Sequence, residues 1–160
     1  MKQFILIFLF CSTQLMAEKV IEYSIGLNDK IGYFGLLNKS IITEKNNSDS
    51  YITFGGLGLI GGIGYGKTYY FSKGSTLSPY VSMTGFGYYV LAIGAIGSAG
   101  ISTVLGLDLT AIKWKNKKII IQFGVISMYD IIRNQNLTLG ADNGPSFLMP
   151  SFNIQFNYTK

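Results

Sequence analysis

Residues 61–68 read GGIGYGKT, with Gly61 and Gly66 enclosing four residues and Lys67-Thr68 following. In a nucleotide-binding loop such glycines free backbone N–H groups to surround phosphates. The lysine then reaches the β/γ oxygens and the threonine holds Mg²⁺. Val104 to Asp108 (VLGLD) resembles the apolar strand that ends in a metal-holding aspartate. That chemistry requires a helix beginning at the Lys-Thr pair. Here Tyr69-Tyr70-Phe71 is strand-like and Ser72-Lys73-Gly74 interrupts it, so the match is fortuitous. Gly56, Gly58 and Gly61 fit the dinucleotide pattern GxGxxG, but no acidic residue lies about 20 positions on and no helix is signalled. Histidine does not occur, which removes the commonest general base and the commonest metal ligand. No catalytic, cofactor-binding or metal-binding residue is assigned, no cofactor is expected, and the chain does not read as an enzyme.

The lone cysteine, Cys11, falls in the opening segment MKQFILIFLFCSTQLMA. Lys2, an apolar run from Phe4 to Phe10 and a polar stretch ending at Ala17 have the layout of a secretory signal peptide. The apolar run is well short of the ~20 residues a spanning helix needs. Cleavage after Ala17 leaves residues 18–160 as a single cysteine-free domain. Of the whole chain, 48% is hydrophobic and only 13% charged, with 20 glycines and 3 prolines, so a water-facing surface would be poorly covered. The net charge of +5 comes from scattered lysines, with no basic stripe interleaved with aromatics; nucleic acid is not an expected partner.

Positioning rests on period-2 alternation. Ile101, Leu105, Leu107 and Leu109 alternate with small or polar residues, as do Ile119, Ile121, Phe123 and Val125. Between the two runs sits the polar knot 113–118 (KWKNKK), the pattern of an antiparallel hairpin. Val20–Leu27 reads as a first strand, Asn28-Asp29-Lys30 as a turn, and Ile31–Thr43 as a second strand. Glu44–Ser50 is the most polar segment and reads as a solvated loop. Tyr51–Phe71 is either one long strand or two, split by a turn at Gly61-Gly62. Leu77–Leu91 is another strand, Leu91–Gly100 a connection, Asp130–Ser146 a long polar loop and Phe147–Tyr158 the last strand. Roughly eight segments of about 10 residues suit tilted strands crossing a bilayer. The turns after the fourth and sixth segments are short and the one after the seventh is long. The first connection, however, reads as shorter than the second, against the usual alternation of short turns and long loops.

The expected fold is thus all-β, an antiparallel up-and-down transmembrane barrel of about eight strands. Glycines on its inner face make room for larger neighbours across the lumen. Glu22, Asp108, Gln122, Asn153 and Gln155 have the inward parity and are expected to form a polar lumen network with a Lys, Arg or Tyr. Such a network serves either as an ion path or as structural filling, and an eight-stranded barrel is normally filled by side chains. Trp114 in the lysine-rich turn suits a membrane interface. A competing arrangement is a glycine-packed helical inner-membrane protein. The uncharged run from Gly74 to Leu107 is long enough, and Gly58, Gly62 and Gly66 are spaced four apart. Strict alternation after residue 100 favours strands.

The last strand, SFNIQFNY, resembles the C-terminal signal of bacterial outer-membrane β-barrels, with Phe152, Ile154, Phe156 and Tyr158 at the matching positions. Thr159 and Lys160 follow the aromatic, and the family's internal glycine is missing. The likeness is to small eight-stranded barrels of the outer-membrane protein A and X type. It implies recognition by the barrel-assembly machinery through edge pairing, residence in the outer membrane of a Gram-negative-type bacterium, and contact with its lipid and lipopolysaccharide; the oligomeric state is left open, with a monomer favoured. Some such barrels are lipid A acyltransferases or deacylases that use a histidine, which this chain lacks. A structural, surface-contact or loop-mediated binding role is expected, with a narrow pore as the alternative.

Overall fold

A computed structural model describes residues 19–31, 37–57, 60–90, 95–133 and 148–159. Eight antiparallel strands form a closed barrel, each hydrogen-bonded to its sequence neighbours, with the last returning to the first. They are β1 (Lys19–Leu27), β2 (Leu37–Glu44), β3 (Ser48–Leu57), β4 (Ile60–Tyr70), β5 (Leu77–Val90), β6 (Ala95–Trp114), β7 (Lys117–Arg133) and β8 (Leu148–Thr159). Closure pairs Tyr23 with Phe156 and Ile25 with Ile154, sealing the seam between β1 and β8 from Val20/Thr159 to Leu27/Phe152.

Alternation decides which side chains face in. Outward positions carry Leu105, Leu107, Phe123, Val125, Phe152 and Phe156, all exposed. Inward positions of the same strands carry Ser102, Asp108, Gln122, Ser151, Asn153 and Gln155, all buried. The usual globular distribution is therefore largely inverted: polar groups line most of the inside, around two small apolar clusters (Val20, Ile42 and Tyr51; Tyr80, Val104 and Ile126), and large apolar groups face outward.

Polarity consequently fails as a marker of loops, and two expectations change. Glu44–Ser50 is not a solvated loop: only 45–47 connects β2 to β3, and Asp49 is a buried strand residue held by Lys73. Tyr51–Phe71 divides into two strands, but at residues 58–59, which lie outside the described residues, and not at Gly61-Gly62. Gly61 and Gly62 are in β4, opposite Gly56 and Gly55.

The strands of the opposite wall are longer than their patterns suggest. β6 has 20 residues and β7 has 17, against 9 for β1 and 8 for β2. Residues 95–100, expected within a connection, already belong to β6, and residues 130–133 still belong to β7. Bulges near Tyr88/Tyr89, Ala99/Gly100 and Thr110/Ile112 bend this wall. The remainder of the expected Asp130–Ser146 loop lies outside the described residues, as does the segment read as a signal peptide.

The strand ends joined by 45–47, 71–76 and 115–116 lie at one end, the turn end; the opposite ends of the strands mark the other, the loop end. The irregularity expected at the first connection disappears, because β2 begins at Leu37 rather than Ile31 and the connection to β3 is short.

Candidate functional site

The first connection is the most specific feature of the interior. Asn28, Asp29, Lys30 and Ile31 do not make a surface turn: all four are buried, Ile31 to 1% exposure. They fold into the barrel from the loop end. Asn28 shapes the entry, its Oδ1 accepting from the Lys30 backbone N–H (3.0 Å) and from Asn38 Nδ2 (3.0 Å). This is the local capture of backbone that Asn performs in turns.

The wall is cut to receive this plug. A β-carbon on Gly64 would collide with the carbonyl oxygen of Lys30, and one on Gly62 with the side chain of Ile31. Tyrosines use the same device: Tyr51 Oη would lie 2.6 Å from a β-carbon on Gly66, and Tyr80 Oη 2.7 Å from one on Gly106. Inward glycines thus mark where bulk arrives from elsewhere in the chain.

Each polar side chain of the plug has a partner. Lys30 Nζ pairs with the Glu22 carboxylate on β1 and stands 5.1 Å from the centre of the Tyr51 ring. Asp29 Oδ2 accepts hydrogen bonds from Thr84 Oγ1 (2.8 Å) and Ser82 Oγ (3.1 Å). Its backbone carbonyl accepts from Ser102 Oγ (3.0 Å). Tyr51 Oη lies 2.5 Å from Thr84 Oγ1. Thr84 has one hydroxyl proton and gives it to Asp29, so Tyr51 is the donor in that pair. The result is a directed chain, Tyr51 to Thr84 to Asp29.

Of the five expected network residues, Glu22 joins the plug through Lys30. Asp108, Gln122 and Asn153 sit side by side in register on β6, β7 and β8. Gln122 Nε2 donates to Asp108 Oδ1 (2.8 Å), and Asn153 Nδ2 donates to Gln122 Oε1 (3.2 Å). Gln155 is buried and faces the same small void as Glu22 and Lys30. That void measures about 20 Å³, room for about one water molecule.

The sequence-derived network leaves its Lys, Arg or Tyr member unspecified, and Lys30 fills that place beside Glu22; Asp29 and the hydroxyls of Ser82, Thr84 and Ser102 have no place in it. Their partners lie 53, 55 and 73 positions from Asp29, too far for any local pattern to reveal. The one usable signal is the inward glycine run 62, 64, 66, which shows that something bulky must face it.

Chemically, the arrangement holds groups in place. A hydroxyl beside a carboxylate could serve as an activated nucleophile only with a reacting atom about 3 Å from it. Gly61–Thr68, the phosphate-loop match, runs entirely within β4, with Lys67 on the outer face stacked on Tyr69 at 4.6 Å. Among the described residues no group of three His, Cys, Asp or Glu side chains could hold a metal ion. A concavity of about 470 Å³ is an apolar groove on the outer wall by Ile63, Tyr65, Gly85, Gly87 and Ile101.

Phe152, Phe156 and Tyr158 point outward on β8, Ile154 is half-buried, and Phe152 packs on Phe123 with ring centres 5.3 Å apart. Trp114 ends β6 beside the turn at 68% exposure. Compared with known proteins, the chain matches no family model, no curated protein and no solved structure.

Proposed function

We propose that this protein is an integral outer-membrane β-barrel whose interior is sealed and whose role is structural, surface-contacting or loop-mediated binding. The inverted side-chain distribution carries the reading. A closed barrel that exposes Leu105, Leu107, Phe123, Val125, Phe152 and Phe156 around a charged, hydrogen-bonded interior suits hydrocarbon outside and protein inside. In water the same outer wall would be an apolar patch far beyond what monomeric proteins tolerate. Exposed Tyr69, Phe71 and Trp114 toward the turn end, and Tyr89 and Tyr129 toward the loop end, suit two interfacial belts. The leader-like residues 1–17 and the outward aromatics of β8 support export and delivery to the barrel-assembly machinery.

The plug supports a closed interior over the narrow-pore alternative, since the void beside Glu22 and Lys30 accommodates about one water. The lipid contacts expected are those of the outer-membrane leaflets, lipopolysaccharide included. The test is reconstitution: the folded barrel shifts mobility on heating in gels, needs detergent to stay dispersed, and resists protease when inserted into vesicles. A chain that stays monomeric and folded in detergent-free buffer refutes the membrane reading.

A further inference from the structure

Charge is distributed unevenly along the barrel axis. Among the described residues, Lys39 and Arg133 lie toward the loop end and Lys30 lies inside. Lys19, Lys45, Lys67 and Lys73 lie toward the turn end, together with all four lysines of the 113–118 hairpin tip. Of the carboxylates described in that half, Glu44 and Asp49 face Lys73, while Glu22 and Asp108 are buried inside the barrel against Lys30 and Gln122. None of the other lysines there has an ion pair among the described residues.

The tip itself is electrostatically unfavourable in isolation. Lys113 stands directly opposite Lys118 across the ladder, and Trp114 opposite Lys117. Like charges facing each other across a sheet destabilise it, and the next strand offers Asn157 and Tyr158 rather than an acid. An anion seated between the lysines would turn this repulsion into attraction. Ile112 and Trp114, both exposed on β6 as it approaches the turn, add an apolar component. A ligand that matches both features has a negative head and an apolar body.

We propose that the turn end, centred on Lys113, Trp114, Lys115, Lys117 and Lys118, is a binding surface for anionic phospholipid headgroups. This rests on the membrane-spanning reading, which brings the turn end to a bilayer surface. Each basic side chain near an anionic bilayer contributes about fivefold in binding. Indole suits the boundary between headgroup and chain.

Trp114 is the chain's single tryptophan and reports on the site directly. The folded full barrel in zwitterionic detergent is titrated with phosphatidylglycerol, with phosphatidylcholine and with polyglutamate, and Trp114 emission is followed. The expected result is a blue shift with phosphatidylglycerol at more than about tenfold lower concentration than with phosphatidylcholine, weakened by salt. Replacing Lys113, Lys115, Lys117 and Lys118 together by Gln removes the preference while the heat-dependent gel shift persists. Equal responses to both lipids overturn the proposal, as does an equal response to polyglutamate or a preference surviving in the quadruple variant. Insertion into phosphatidylcholine vesicles is scored separately. A barrel that inserts without lipid preference loses only the headgroup inference, and one that prefers phosphatidylglycerol in micelles but never inserts loses only the spanning reading.

Discussion

Lys30 and Glu22, eight positions apart in the chain, form an ion pair inside the barrel with side chains 7% and 2% exposed. The pair ties the inward-folded connection to the first strand, and its worth is measurable. Removing one partner of a buried pair leaves an uncompensated charge, at a cost of about 3–5 kcal/mol. Lys30→Met and Glu22→Gln are each expected to lower the urea midpoint correspondingly. The double variant recovers part of the loss, giving a coupling term in a double-mutant cycle. Single variants that cost less than about 1 kcal/mol would mean the pair is solvated.

Gly64 and Gly85 offer a contrast of sign. A β-carbon at Gly64 meets the plug backbone, whereas at Gly85 the nearest atom is 3.9 Å away. Gly64→Ala is expected to destabilise by about 1–3 kcal/mol through overpacking. Gly85→Ala is expected to stabilise by about 0.5–1 kcal/mol, because alanine loses less backbone freedom on folding. Equilibrium unfolding of the two variants in one detergent decides it, and equal signs would contradict the plug's placement.

Asp29 organises three hydroxyls and one end of the plug. Asp29→Ala removes the acceptor of Ser82 and Thr84. Buried donors left unpaired cost about 1–3 kcal/mol each. In planar bilayers, the native barrel is expected to be silent and the Asp29→Ala, Lys30→Ala variant to show current steps as the plug loosens. Conductance by the native chain would defeat the sealed-interior reading.

The outer wall provides a test of the proposed lipid contact. Phe123 is exposed and packs only against its outward neighbour Phe152 among the ring pairs described. Phe123→Arg is expected to cost about 2–4 kcal/mol for folding into vesicles, as a cation on a lipid-facing barrel position does. Lys113→Arg, at the tip, is expected to change vesicle folding little. Equal effects of the two substitutions would place the Phe123 wall in water.

The sequence by itself determined the class, because alternation is a local property that needs no partner to be read. Ile119-Ile120-Ile121-Gln122-Phe123 already separates an apolar face from a polar one, and the Lys115-Asn116 turn lies within the expected polar knot. Inward parity likewise singles out Glu22, Asp108, Gln122, Asn153 and Gln155. Strand ends were less legible. In a barrel that is polar inside, Ser48, Asp49 and Ser50 look like loop residues and are strand residues. The limits of β6 and β7 depend on how far each neighbour continues to pair.

Only the tertiary structure decided what fills the interior. Asp29-Lys30 is locally indistinguishable from any charged turn, and a turn of this kind normally stays in water because burying charge without partners is prohibitive. Here Glu22, Ser82, Thr84 and Ser102 converge from β1, β5 and β6, and Gly62 and Gly64 leave the volume. Closing the barrel brings those groups to one place. The same closure set the charge asymmetry: lysines scattered from residue 19 to residue 118 gather toward one end because every second connection returns there.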